Sequence, residues 1–153
     1  MPSTVITLKT NINATIESTF NLSRDITFHK ESASHTKEEA IEGITDGLIN
    51  LDETVTWRGK HFGLYLKHTS KICKMNRPFG FTDIMIKGHF TYFIHEHIFN
   101  KTDFGVEMID ILKYKAPYGI FGKLFDRFFL KRHMSTFLSK RNSALKSTLE
   151  SLN

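Results

Sequence analysis

His95 and His97 stand one residue apart in an apolar and aromatic run, Tyr92-Phe93-Ile94-His95-Glu96-His97-Ile98-Phe99. On an extended strand, positions two apart project from the same face, so both imidazoles would share one environment. Imidazoles placed this way exchange protons near neutral pH or supply nitrogens to a metal. Strand alternation brings further groups to that face. His61 falls with Val55 and Trp57 on a set free of long charged side chains, and Asp110 falls with Val106, Met108, Leu112 and Tyr114. Trp57, His61, Phe93, His95, His97 and Asp110, with Asp83 as a further candidate, would then converge on one aromatic-lined space. A His–Asp pair is the arrangement of a general acid and base. It is equally the arrangement of a hydrogen-bonded network that fixes strand register. His-x-His alone is a weak metal motif, and no Cys cluster accompanies it, so neither a metal nor another cofactor is expected. No nucleophile elbow, Gly-rich phosphate loop, RNA-binding signature or zinc-finger spacing is present.

Those faces exist only if the segments carrying them are strands. Thr4–Ile12 alternates Ile6, Leu8 and Ile12 with polar residues and predicts a first strand. Residues 14–22 predict a short helix capped by Asn13 or Thr15, and 23–29 a second helical turn. Residues 30–36 read as a polar loop. Thr36-Lys37-Glu38-Glu39 resembles a capping box, which predicts a short helix through Ala40 and Ile41 that Gly43 stops. From Ile44 the apolar period changes to two. Residues 44–51, 53–65, 66–76, 79–87, 90–100 and 106–115 then read as strands, the second of them bent at Gly59 or Gly63. Short connections between sequential strands imply an antiparallel meander.

After Ala116-Pro117-Tyr118-Gly119 the apolar residues recur at spacings of three, four and seven as far as Leu152. This predicts an amphipathic helix of about 30 residues, roughly 45 Å long. Phe121, Phe125 and Phe128 fall on one face over two turns and are expected to cover the mouth of a cavity. Phe137, Leu145 and Leu149 are expected to pack as core. Lys123, Arg127, Lys131, Arg132, Lys140, Arg141 and Lys146 fill much of the remaining surface and read mainly as a solvated face.

Composition sets outer bounds. Hydrophobic residues make up 40% of the 153 and charged residues 24%, which favours a globular domain over disorder. A single domain, 1–153, is expected, without linker or internal repeat. No apolar run approaches the ~20 residues of a membrane span, and the first residues lack the pattern of a signal peptide. Cys73 is the sole cysteine and reads as a small hydrophobe; with no partner for a disulfide, a cytoplasmic location is expected. The net charge of +5 permits contact with an anionic membrane surface, while nucleic acid is disfavoured for want of a recognition motif.

Several stretches, taken together, resemble a known family. They are Ser23-Arg24-Asp25, Glu42-Gly43-Ile44-Thr45-Asp46-Gly47-Leu48, Glu53-Thr54-Val55-Thr56-Trp57-Arg58, Lys60-His61-Phe62-Gly63, His95-Glu96-His97-Ile98-Phe99, and Asp110 with Pro117-Tyr118-Gly119. With the order strand, short helices, meander and long helix, they are similar to the START/Bet v 1-like (SRPBCC) superfamily. The likeness is to bacterial ligand-binding members described as cell-division or polyketide-cyclase-like. The resemblance covers nearly the whole chain. It implies an α+β helix-grip fold, a curved antiparallel sheet of about seven strands on a long C-terminal helix. It also implies a cavity for lipid-like or aromatic molecules, and supplies no catalytic residue. The expected function is binding of a small hydrophobic molecule, with Trp57, His61, Phe93, His95, His97, Asp110, Phe121, Phe125 and Phe128 at the site. The alternative is a polyketide-cyclase-like or hydrolase-like enzyme using the same His and Asp groups.

Overall fold

The structure is a computed structural model that describes residues 3–153. Seven strands form one sheet in the order β1-β7-β6-β5-β4-β3-β2, with every neighbouring pair antiparallel. They are β1 (Thr4–Ile12), β2 (Glu39–Gly43), β3 (Thr54–His61), β4 (Leu64–Asn76), β5 (Gly80–Lys87), β6 (Tyr92–Thr102) and β7 (Gly105–Lys115). The meander runs from β2 to β7, and β1 closes against β7. Helices α1 (Ile16–Ser23) and α2 (Ile26–Ser32) link β1 to β2. Thr15 caps α1 through the Ser18 amide, and Asp25 caps α2 through the Phe28 amide. Helical structure then continues over 119–151 as α3 (Gly119–Phe125), a π-helical turn (Asp126–Leu130) and α4 (Lys131–Ser151). This is the helix-grip arrangement. Among the described residues, no helix is long and apolar enough to cross a membrane.

Strand alternation sorts the core. On β7, Val106, Met108, Asp110, Leu112 and Tyr114 are all buried on the face toward the helices. Leu145 and Leu149 of α4 pack with Phe20, Phe99, Val106 and Met108 in one apolar cluster. Leu138 and Leu130 pack with Leu112 and Tyr114 in a second. Burial of apolar surface in these two clusters, at about 25 cal/mol per Å², helps to hold α4 to the sheet.

Four segments differ from the sequence expectations. Residues 36–43 do not begin a helix. Lys37 is left-handed (φ 53°) and ends a short 3-10 turn, after which Glu39–Gly43 pairs with β3 as the edge strand. Gly43 is required there: its φ is +75°, and a Cβ would meet the Thr54 carbonyl oxygen at 2.2 Å. Residues 44–51 do not form a strand. Their backbone is satisfied by the α1–α2 junction instead, with the Ile49 amide donating to the Arg24 carbonyl and the Ile26 amide to that of Gly47. The expected long strand over 53–65 is a hairpin, turning at Phe62 and Gly63, both at positive φ (53° and 78°). Finally, the loop expected over 30–36 is shortened, because α2 runs to Ser32.

Candidate functional site

A hollow of about 820 Å³ lies between the sheet and the C-terminal helix. Residues of both apolar clusters reach it, including Ile72 and Phe81 from one and Phe93 and Leu138 from the other. Of the residues singled out from sequence, Trp57, His61, Phe93, His95, His97, Phe121 and Phe125 line it. Asp110 does not. It is fully buried behind the imidazoles, where β7 faces α4. Phe128 does not line it either, and is 64% exposed. The π-helical turn inserts one extra residue into the helical repeat, so the inward face passes from Phe125 to Leu130, Met134 and Leu138. Phe128 is thereby rotated out to solvent, beside the Arg127 guanidinium.

The polar groups gather around Asp110. His95 Nε2 donates to Asp110 Oδ1 (2.8 Å), and Asn142 Nδ2 donates to Oδ2 (2.7 Å). Arg141 Nη2 approaches Oδ1 at 3.3 Å. His97 Nε2 pairs with Asp83 Oδ2 at 2.9 Å. The other His97 nitrogen lies 3.3 Å from Asp110 Oδ1, an ion-pair contact whose angle is too poor for a hydrogen bond. The two imidazoles lie 3.8 Å apart between ring centres, and Phe81 stacks on His97 at 4.1 Å.

This arrangement separates the behaviour of the two histidines. Burial holds His95 below the ordinary imidazole range, and neighbouring His97 adds to that. Burial also acts downward on His97, but the carboxylates of Asp110 and Asp83 outweigh it, and its pKa is raised. Burial alone would raise Asp110; Arg141 and the two imidazoles overcome it and hold the carboxyl well below the usual range. Arg141 thus offsets the charge of Asp110, and the two carboxylates favour the protonated form of His97 while burial favours the neutral form of His95. With Nε2–H committed to Asp110, neutral His95 has its lone pair on Nδ1.

His61 belongs to a different group. Its Nδ1 meets His133 Nε2 at 2.8 Å and its Nε2 meets Glu38 Oε1 at 3.2 Å, with Glu38 packed against Gly59. The expected convergence of His61 with Asp110 is thus replaced by two separate polar clusters in one hollow. Sequence reasoning missed Arg141 and Asn142, since a basic residue on an amphipathic helix reads as solvated. It missed His29 as well, which packs its ring 4.3 Å from that of Trp57.

His29 offers a pH test. Burial, with Arg141 adding to it, lowers its pKa to about 3. The unfolded chain therefore binds a proton below about pH 6.5 that the folded chain refuses, and stability falls as pH drops through that window. The expected loss is up to about 1.4 kcal/mol per pH unit. In His29→Phe this acid limb should flatten; denaturant titrations at neutral pH and near pH 5 would show the same slope in both proteins if His29 were not responsible.

Asp83, His95 and His97 also offer one ligand atom each, all within 4.8 Å of one another. The surroundings oppose a dication there: the carboxylates favour a proton on His97 that a metal would have to displace, and the Arg141 guanidinium adjoins Asp110. No stoichiometric Zn²⁺ is expected in the purified protein. Elemental analysis giving about one zinc per chain, lost in His95→Ala/His97→Ala, would reverse this.

No family model matches the sequence, and no curated protein matches it. Solved structures do. TTHA0849 from Thermus thermophilus superposes with a TM-score of 0.77 at 15% identity, over 99% of both chains. The KanY protein gives 0.74 at 14% identity, over 98% of this chain and 99% of that one. Major latex-like protein 151 from Panax ginseng gives 0.71 at 11% identity, over 96% and 97%. At such identities the likeness establishes the fold.

Proposed function

We propose that this chain, which has the helix-grip fold of the START/Bet v 1-like (SRPBCC) superfamily, binds a small and largely apolar molecule in the hollow between its sheet and C-terminal helix. The observation that carries the reading is the composition of the hollow. Its wall includes Val55, Trp57, Ile72, Phe81, Phe93 and Leu138, and polar groups enter it in separate places, Asp83, His95, His97 and Arg141 at one and His61, His133 and Glu38 at another. Apolar walls with a few fixed polar groups are what binding and orientation of such a ligand require. Affinity comes from the buried apolar area, and orientation from the imidazole and carboxylate groups. The experiment is a mass spectrum of gently purified protein under native conditions, followed by displacement of whatever is bound with fluorescent fatty acids and aromatic probes. A lipid-like or aromatic molecule released at about one per chain supports the reading. An empty protein that binds none of the probes contradicts it.

One feature favours a second reading, an enzyme of the polyketide-cyclase or hydrolase type. Burial favours the neutral form of His95 and Asp110 orients its ring, as a general base requires. The same spectrum separates the two: under the second reading a supplied ligand is recovered chemically altered, and His95→Gln leaves it unaltered.

A further inference from the structure

From the outer surface of the same end of the molecule we infer that the chain docks on an anionic lipid bilayer through α3, the π-helical turn and the β3–β4 hairpin. Such docking goes beyond ligand binding and does not depend on which ligand is held. Ile120, Phe121, Leu124, Phe128 and Phe129 are each between 48% and 78% exposed on one short helical stretch. Beside them, Phe62, Leu64 and Tyr65 of the hairpin are 49–64% exposed. The two elements touch: the rings of Phe62 and Phe125 meet edge to face with centres 5.1 Å apart. Exposed rings of the two elements thus adjoin through Phe62, Phe125 and Phe129, where a chain without a docking surface would carry scattered ones.

Its rim is basic. Lys123, Arg127, Lys131 and Arg132 are exposed on the helix, and Lys60 and Lys67 on the hairpin. Asp126 is the sole acid between Gly119 and Leu149, and it is buried, accepting from the Tyr114 hydroxyl and from Thr4. No exposed carboxylate on this helical stretch therefore offsets its cations. An apolar face bordered by Lys and Arg is the pattern of an element lying in the interface of an anionic membrane, where the rings enter the acyl boundary and the cations meet headgroup phosphates. A protein partner would need acidic and apolar groups matched to this outline, whereas a bilayer supplies both without shape matching.

The location of the patch points the same way. Phe62, Leu64, Tyr118, Phe121 and Phe125 are exposed and also line the hollow. The apolar surface is therefore continuous with the cavity wall, and a docked bilayer would face the opening directly. A poorly soluble ligand could then pass between membrane and cavity without crossing water.

The test uses sedimentation with vesicles of phosphatidylcholine alone and with about 30% phosphatidylglycerol. Wild type is expected to bind the anionic vesicles, to bind the neutral ones far less, and to weaken as salt rises. Two double variants probe the contact without touching the cavity wall. Phe128→Ser/Phe129→Ser removes two inserted rings, with an expected loss of about tenfold or more. Arg127→Gln/Lys131→Gln removes two charges, at about fivefold each. Displaceable binding of a fluorescent fatty acid at one per chain in vesicle-free buffer should be unchanged in both, so a failure of docking and a failure of ligand binding are read separately. Equal vesicle binding by wild type and both variants would overturn the inference. So would a concentration-dependent dimer that Phe128→Ser/Phe129→Ser abolishes, since a second copy of the chain would then be the natural cover of this face.

Discussion

Asp110→Asn is expected to lower the free energy of unfolding by about 3–5 kcal/mol, although it changes one oxygen to an amide. The carboxylate is fully buried and serves His95, Asn142 and Arg141 together, with His97 beside it. An amide has one acceptor oxygen and carries no charge. It would leave the Arg141 guanidinium, itself buried, without its counter-ion, and would turn donor hydrogens toward groups that are donors already. The pH dependence gives a second readout. The folded pKa of Asp110 is depressed, so its contribution is present above the unfolded value near 4 and is lost as pH falls through the lower folded value. The gap between wild type and variant should therefore narrow in strong acid. His97 has the opposite sign: its raised folded pKa adds stability below about pH 6.5 that disappears as pH rises through the folded value. Without Asp110 that alkaline loss should shrink. Asp110→Leu/Arg141→Met distinguishes lost pairing from lost packing. Replacing both charges by apolar groups should recover much of the loss of Asp110→Leu alone, with a coupling of about 0.5–3 kcal/mol. A variant Asp110→Asn within about 1 kcal/mol of wild type at neutral pH would mean that the network does not hold β7 to α4.

The extents of β5, β6 and β7 were legible from their apolar period of two, but their faces were not equally so: β7 separates Lys113 from the aromatic set, both faces of β6 are amphipathic, and the pattern of β5 decides neither face. On β6 the set without a formal charge, Phe93, His95, His97 and Phe99, is the inward one. Three features were not legible, and each has a physical cause. The Phe62-Gly63 turn places a bulky residue at positive φ, where hairpins usually carry Asn or Gly, so the chain looked like one continuous strand. The edge strand β2 is short and only partly buried, which leaves its Glu-rich sequence free to resemble a helix start. The π-helical turn leaves no periodic signature beforehand, because Asp126 and the aromatic run after it fit an α-helix equally well. Its effect falls on the candidate site directly: Arg141, read from an unbroken helix as part of a solvated face, is instead buried against Asp110 beside Asn142. The helix, its length and its apolar character were apparent in the sequence, but its rotational phase was not.

That phase decides the last expectation, a contrast between the two halves of the C-terminal helix. Leu145 is fully buried and Leu149 nearly so, both within the cluster that includes Phe20 and Met108. Truncation to Ala removes their contacts and leaves a void that the strands behind cannot fill, so each variant should lose about 2–5 kcal/mol. Phe125 lines the hollow while remaining 41% exposed, and its ring meets Phe62 across the opening. Part of its surface is in water already and another part adjoins empty space, so Phe125→Ala should cost about 1 kcal/mol or less. Its effect should appear in recognition instead. Removing the ring widens the opening, and a graded series of fluorescent fatty acids or aromatic probes should shift toward larger members. Phe128→Ala, rotated away from the hollow by the π-helical turn, should change neither stability nor probe size preference. That last arm is the sharpest, because an unbroken α-helix would have set Phe128 beside Phe125 and given both substitutions the same outcome. Equal shifts for the two would place the helix in the phase that its sequence periodicity alone suggests, and a Phe125→Ala loss as large as that of Leu145→Ala would mean that this half of the helix closes a filled core.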